Sequence, residues 1–207
     1  MSIRIAPMEQ RKSNLPGLLF AFLFAFAWGT DGVYADQRSE PHPSIWSALK
    51  SGNAFAMMRH ATAPGTGDPP GYTLDDCGTQ RNLSDTGRNE ARKTGAVFRA
   101  NGIQAAEVLS SAWCRCRETA ELLGLGAVRP FAPLNSFFDA PSRGERQTRE
   151  LRDWLASRSA GIPLVLVTHQ VNITALTGVY PRSGEVVVAR MNLDGTVTVL
   201  GSFPPPS

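Results

Sequence analysis

The sequence predicts an α/β fold, a three-layer α/β/α sandwich with a largely parallel sheet and an antiparallel C-terminal edge hairpin. Three observations carry that reading. Short apolar runs at Ala54 to Met58, Glu107 to Ser111 and Pro163 to Thr168 are the length of buried strands, and helical segments separate them. Asp194-Gly195 divides two further strand-like segments, Glu185 to Asn192 and Thr196 to Phe203, and Asp-Gly is a strong short-range hairpin signal. No internal repeat or compositional break marks a second folded domain.

The first 35 residues are set apart from the fold. Arg11 and Lys12 precede an apolar stretch from Leu15 to Trp28, and Val33-Tyr34-Ala35 offers small residues where a signal peptidase reads. The apolar stretch is about 14 residues, short of the roughly 20 that a spanning helix needs. Residues 1–35 are therefore expected to be an export signal cleaved after Ala35, with an uncleaved membrane anchor as the alternative. Residues 36–207 are expected to form the catalytic domain, exported and, in a Gram-negative cell, periplasmic.

After a polar stretch from Asp36 to Pro43, Ile45 to Leu49 reads as a short helix stopped by Gly52 and Asn53, and the first strand follows. Ala63 to Gly78 is crowded with Gly and Pro and reads as a long loop at the end of that strand. Ser84 is a fitting N-cap for a helix from Asp85 to Ala100, with Asn101-Gly102 as its stop. The second strand, Glu107 to Ser111, leads into a helix from Ala112 to Leu123, ended by Gly124 and Gly126. A Pro-rich passage and a polar helix from about Glu145 to Ser157 precede the strand that ends at His169. Val171 to Thr177 returns as a helix although its β-branched residues lower helix propensity.

Charge and cysteine content exclude several classes. The net charge is +3, and removal of residues 1–35 lowers it to +2, too weak an excess to support nucleic-acid binding. Cys77, Cys114 and Cys116 are an odd count, and export predicts one disulfide joining Cys77 to Cys114 or Cys116. No metal site and no cofactor are expected: four zinc ligands at the required spacing are missing, and no spaced oxygen-ligand set accompanies Asp75-Asp76. Gly65-Thr66-Gly67-Asp68 lacks the Gly-Lys-Ser/Thr ending of a phosphate-gripping P-loop. His42, between two prolines, is expected to be solvated, and Trp46, Trp113 and Trp154 to serve packing.

The chemistry gathers at strand ends. Arg59-His60 closes the first apolar run and His169 closes the third, and in an open α/β sheet the carboxyl ends of neighbouring strands converge on one crevice. A neutral imidazole, with an unperturbed pKa of about 6.5, can attack phosphorus, and arginine forks stabilise the charge that spreads over the phosphoryl oxygens.

Four features follow in order: Met58-Arg59-His60-Ala61, Arg81-Asn82-Leu83-Ser84 with Gly87, Ser110-Ser111 with Arg115 and Thr119-Ala120, and Val167-Thr168-His169. The series resembles the histidine phosphatase superfamily, the phosphoglycerate-mutase-like enzymes, and within it small exported bacterial phosphatases, including those acting on lipopolysaccharide-core phosphates. The resemblance implies that His60 is the phosphoryl-accepting nucleophile and that Arg59, Arg115 and His169 surround and bind the phosphate. Arg81 falls at a less uniform position and is a substrate-contact candidate. Ala61 stands where the family motif usually has glycine, so its methyl group is expected to crowd the phosphate. A carboxyl group often protonates the leaving alkoxide in this family; Asp139 is the first candidate, Glu185 the second and Asp68 the third.

The expected activity is metal-independent hydrolysis of phosphomonoesters through phosphohistidine, on a small phosphorylated substrate or an envelope glycan phosphate. A phosphomutase of the same fold, a non-catalytic phosphate-binding module and a thiol enzyme using Cys114 or Cys116 with His169 are the alternatives.

Overall fold

The computed structural model describes residues 43–206. The expected signal segment, its cleavage site and His42 lie outside that range. Five α-helices and six strands follow in chain order: α1 (Pro43–Lys50), β1 (Phe55–Arg59), α2 (Asp85–Ala100), β2 (Glu107–Ser110), α3 (Cys114–Leu123), β3 (Val128–Pro130), α4 (Gly144–Ser157), β4 (Leu164–Thr168), α5 (Gln170–Thr177), β5 (Val186–Met191) and β6 (Val197–Phe203). The strands form one sheet in the order β3-β2-β4-β1-β5-β6. The first four are parallel, and β5 and β6 run antiparallel. This is the predicted α/β sandwich with its terminal hairpin.

Strand periodicity divides the core into two layers. Ala56, Met58, Val165 and Val167 point to one face of the sheet, where they pack with Trp46 and Leu49 of α1, Phe98 of α2 and Leu123 of α3. Their neighbours Phe55, Met57, Leu164 and Leu166 point to the other face, against Leu151 and Leu155 of α4 and Ile173 and Leu176 of α5. Because successive side chains alternate across a strand, a strand covered on both faces must be apolar throughout, which is why β1 and β4 read as unbroken apolar runs. Each such side chain contributes about 1.5–3 kcal/mol through removal from water.

Local signals set the boundaries. The Ser84 hydroxyl accepts from Gly87 N at 3.1 Å and caps α2, and Gly124, in the left-handed region at φ 61°, ends α3. Two glycines of α2 permit close approach. A Cβ on Gly87 would lie 2.1 Å from the Thr62 carbonyl oxygen, and one on Gly95 would lie 2.0 Å from that of Leu123. Gly87 therefore lets α2 rest directly on the backbone that follows His60.

Two elements depart from expectation. The Pro-rich passage after α3 contains the short strand β3, which pairs with β2 through Val108 and Val128. Pro130 is tolerated there because an edge strand leaves its outer N–H positions without a ladder partner. The third helix begins at Cys114, two residues past Ala112, because Trp113 is extended at ψ 135° and serves as the N-cap residue, while Asn135 Oδ1 accepts the Ala112 N–H at 2.8 Å.

Candidate active site

Parallel pairing places Arg59 of β1 opposite Thr168 of β4, so the chain leaves both strands at the same edge of the sheet. His60 N donates to the Thr168 carbonyl at 2.9 Å, and the imidazoles of His60 and His169 come to 5.6 Å between centroids. Both histidines are buried. They share one cleft of about 170 Å³ with Arg59, Arg81, Arg115 and Asp68, and Asp139 lies in its outer wall.

Hydrogen bonding fixes the tautomer of His60. Its Nδ1 lies 2.9 Å from the Ala61 carbonyl. A carbonyl only accepts, so Nδ1 carries the proton and Nε2 keeps its lone pair, as a nucleophile requires. Burial pushes the imidazole pKa down to about 3; the Ala61 hydrogen bond opposes that shift, and the charges of Arg115, Arg81 and Arg59 reinforce it. A lowered pKa on a basic group keeps the ring neutral at every pH above that value. In the ligand-free protein, ¹⁵N spectra of His60 should therefore show the Nδ1–H tautomer unchanged from pH 8 to pH 4, and a transition near pH 6.5 would contradict this environment.

His169 is held by another contact. Its Nε2 lies 2.8 Å from Ser111 Oγ, with the Cys116 thiol at 3.4 Å from the same nitrogen. Burial also lowers its pKa well below the ordinary value, helped by the nearby His60 and the arginines. Cys116 is buried and its thiol is pushed up to about 12 by burial, despite the opposing charge of Arg115. Cys114 is bonded to Cys77. Neither cysteine thus offers the accessible thiolate that a thiol enzyme needs. The disulfide joins the segment four residues before Arg81 to the residue preceding Arg115.

Three guanidiniums line the pocket, each anchored by part of its donor set. Arg59 Nη1 donates to the Pro181 carbonyl at 3.0 Å, and Arg81 donates from Nε to Gly67 O at 2.7 Å and from Nη1 to Ala63 O at 2.5 Å. Arg115 Nη1 is 2.7 Å from Asp68 Oδ1, an ion pair whose side chains are 4% and 2% exposed. Buried Nε–H groups of Arg59 and Arg115 have no hydrogen-bond partner among the described residues. Burial lowers the pKa of Arg59 and Arg81, with Arg115 adding repulsion. One buried carboxylate against three guanidiniums leaves two positive charges, a match for a phosphate dianion.

The three acid candidates separate clearly. Asp68 accepts from Arg115, from Arg81 N at 3.0 Å and from Trp113 Nε1 at 3.0 Å. Burial would raise its pKa, but these donors outweigh burial and hold it below the usual carboxylate range, so it remains an anion. The Glu185 carboxylate accepts from Arg182 N and Ser202 Oγ and does not line the cleft. Asp139 is exposed at the cleft wall, and among the described residues no hydrogen bond or ion pair occupies its carboxylate.

Two expectations change. Ala61 does not reach the cleft: its side chain packs with Ala63, Leu83 and Ala91, so its methyl group occupies an apolar cluster instead. Trp113, expected only to pack, also orients Asp68 and stands edge-on to His169 with centroids 5.2 Å apart. Sequence reasoning did not single out Phe138, Gln170 or Tyr180, which complete the outer wall. Among the described residues, no cluster of three or more His, Cys, Asp or Glu is placed to hold a metal ion, and no helix is long and apolar enough to cross a membrane.

Comparison with known proteins agrees with this geometry. The sequence model of the histidine phosphatase superfamily (branch 1) matches residues 57–137. The open reading frame Rv3214 from Mycobacterium tuberculosis superposes with a TM-score of 0.56 at 13% identity, covering 74% of this chain and 98% of the other. Mycobacterial glucosyl-3-phosphoglycerate phosphatase Rv2419c gives 0.53 at 18% identity, covering 75% and 99%. The protein histidine phosphatase SixA complexed with tungstate gives 0.52 at 14% identity, covering 73% and 97%. No curated protein matches the sequence. Residues 57–137 thus carry the sequence pattern of the histidine phosphatase superfamily, and the described domain shares its fold with these solved structures.

Proposed function

We propose that the protein is a metal-independent phosphatase that hydrolyses phosphomonoesters through a phosphohistidine at His60. The observation that carries this reading is a buried, neutral His60 whose Nδ1 is tied to the Ala61 carbonyl, facing a pocket with a surplus of two positive charges. His60 Nε2 attacks phosphorus as the bond to the alcohol oxygen breaks, and Asp139 delivers a proton to the departing alkoxide. Water then attacks the phosphohistidine and gives its proton to the Asp139 carboxylate, releasing phosphate and restoring His60. Arg59, Arg115 and His169 stabilise the equatorial oxygens in both displacements, with Arg81 contributing charge while it pins Gly67 and Ala63.

The reading includes export. The Cys77–Cys114 bond supports it, because disulfides persist chiefly in oxidising compartments. Residues 1–35 would serve as the signal, and the domain would act in the periplasm of a Gram-negative cell on envelope sugar phosphates. Solved structures of similar fold include a glucosyl-3-phosphoglycerate phosphatase and a protein histidine phosphatase, so phosphorylated substrates are in keeping with the fold.

The test is phosphate release from p-nitrophenyl phosphate with excess EDTA present. Turnover unaffected by the chelator is the expected result. Loss of activity that a divalent cation restores would overturn the metal-independent scheme.

A further inference from the structure

Beyond the guanidiniums, the outer wall of the cleft has a different character. Phe138 and Tyr180 are 52% and 74% exposed, and both line this cleft. Aromatic side chains at the mouth of a pocket offer apolar faces against which a bound ring can pack. Each is presented by a braced backbone. The neighbouring Phe137 is buried against Gly144, where a Cβ would lie 3.0 Å from the ring, and Phe138 N donates to Ser136 Oγ. Pro181, next to Tyr180, is held by Arg59 through its carbonyl, so the residue that binds phosphate also sets the position of the rim.

Apart from the guanidiniums and Asp68, the remaining exposed or half-buried polar side chains of the wall are Thr66, Ser136, Asp139 and Gln170, and none of them is a cation. Gln170 spends its amide N–H on Thr174 Oγ1, which leaves its carbonyl oxygen to accept. A second anionic group on the substrate would therefore find no cation among these side chains to offset its charge. A neutral ring bearing hydroxyls fits the same surface: its C–H faces lie against the aromatics and its hydroxyls bond to Asp139, Gln170 and Ser136.

Resting on the phosphatase reading above, we infer that Phe138 and Tyr180 form an aromatic rim that selects an uncharged, hydroxyl-bearing ring, such as a sugar, as the alcohol half of the substrate. The rim determines specificity, and the guanidinium pocket supplies phosphate affinity common to all esters.

The test compares kcat/KM for glucose 1-phosphate, glycerol 1-phosphate and fructose 1,6-bisphosphate in the wild type, Phe138→Ala, Tyr180→Ala and Tyr180→Phe. The wild type should favour glucose 1-phosphate. In each alanine variant the ratio of glucose 1-phosphate to glycerol 1-phosphate should fall by about 10-fold, chiefly through KM, and Tyr180→Phe should retain most of the preference. An unchanged ratio in the alanine variants, or a wild-type preference for the bisphosphate, would overturn the inference. Absence of turnover on every ester would instead overturn the phosphatase reading. Thermal shifts would then decide the rim separately: tighter binding of glucose 1-phosphate than glycerol 1-phosphate, lost in the alanine variants, supports it, and equal binding refutes it.

Discussion

Replacing His60 with alanine should lower kcat on p-nitrophenyl phosphate by roughly 10⁴-fold or more, because in the proposed mechanism the substitution removes the atom that would form the covalent bond. The proposed phosphate-binding groups would survive the change. Arg59, Arg81 and Arg115 are anchored by Pro181, Gly67, Ala63 and Asp68 and none depends on the imidazole, so inorganic phosphate should still bind. Calorimetry of phosphate binding separates this outcome from unfolding. A rapid alkaline quench of wild type with ³²P-labelled substrate should retain label on His60, whereas the variant should retain none. Equal turnover in the two proteins would remove His60 from the mechanism; label on another residue would move the nucleophile.

Much of the fold was legible because each central strand leaves a local signature. Met57 and Met58 point to opposite faces and both are buried, so β1 appears in the sequence as an apolar run that stops at Arg59. Ser84, Gly124 and Asp194-Gly195 mark boundaries through conformational demands confined to a few residues. β3 left no such mark, since three residues ending in proline pair only because β2 is already placed beside them. The cleft followed the same division. His60, Arg59 and His169 could be found because they close strands, and Arg115 because one face of α3 turns inward while Arg117 remains exposed. Tyr180 and Phe138 were silent, as their position comes from loops whose course is set by distant contacts. Asp68 was visible only as one of several loop carboxylates. Its role arises from Arg115, 47 residues later, and no local pattern encodes that meeting.

Asp68→Asn should destabilise the protein by about 3 kcal/mol at pH 7, measured by urea unfolding, because it breaks a buried ion pair from one side. The carboxylate serves three donors: Oδ1 accepts from Arg115 and Arg81 N, and Oδ2 accepts from Trp113 Nε1. An asparagine of the same shape must turn its NH₂ toward one of those N–H groups, so at least one bond becomes a donor facing a donor. Arg115 also loses its counter-charge while Arg59 and Arg81 remain close. The sign of the pH dependence follows from the lowered pKa of Asp68 in the folded state. The stabilisation is fully present above the unfolded value of about 3.9 and is lost as pH falls through the folded value, so the gap between wild type and variant should narrow only in strong acid. Charge adds a second signature: with three cations unopposed in the inner pocket, inorganic phosphate should restore more stability to the variant than to the wild type. A loss below about 0.5 kcal/mol would mean that Arg115 and Asp68 interact as a solvated surface pair, and Asp68 could no longer be what holds Arg115 in the cleft.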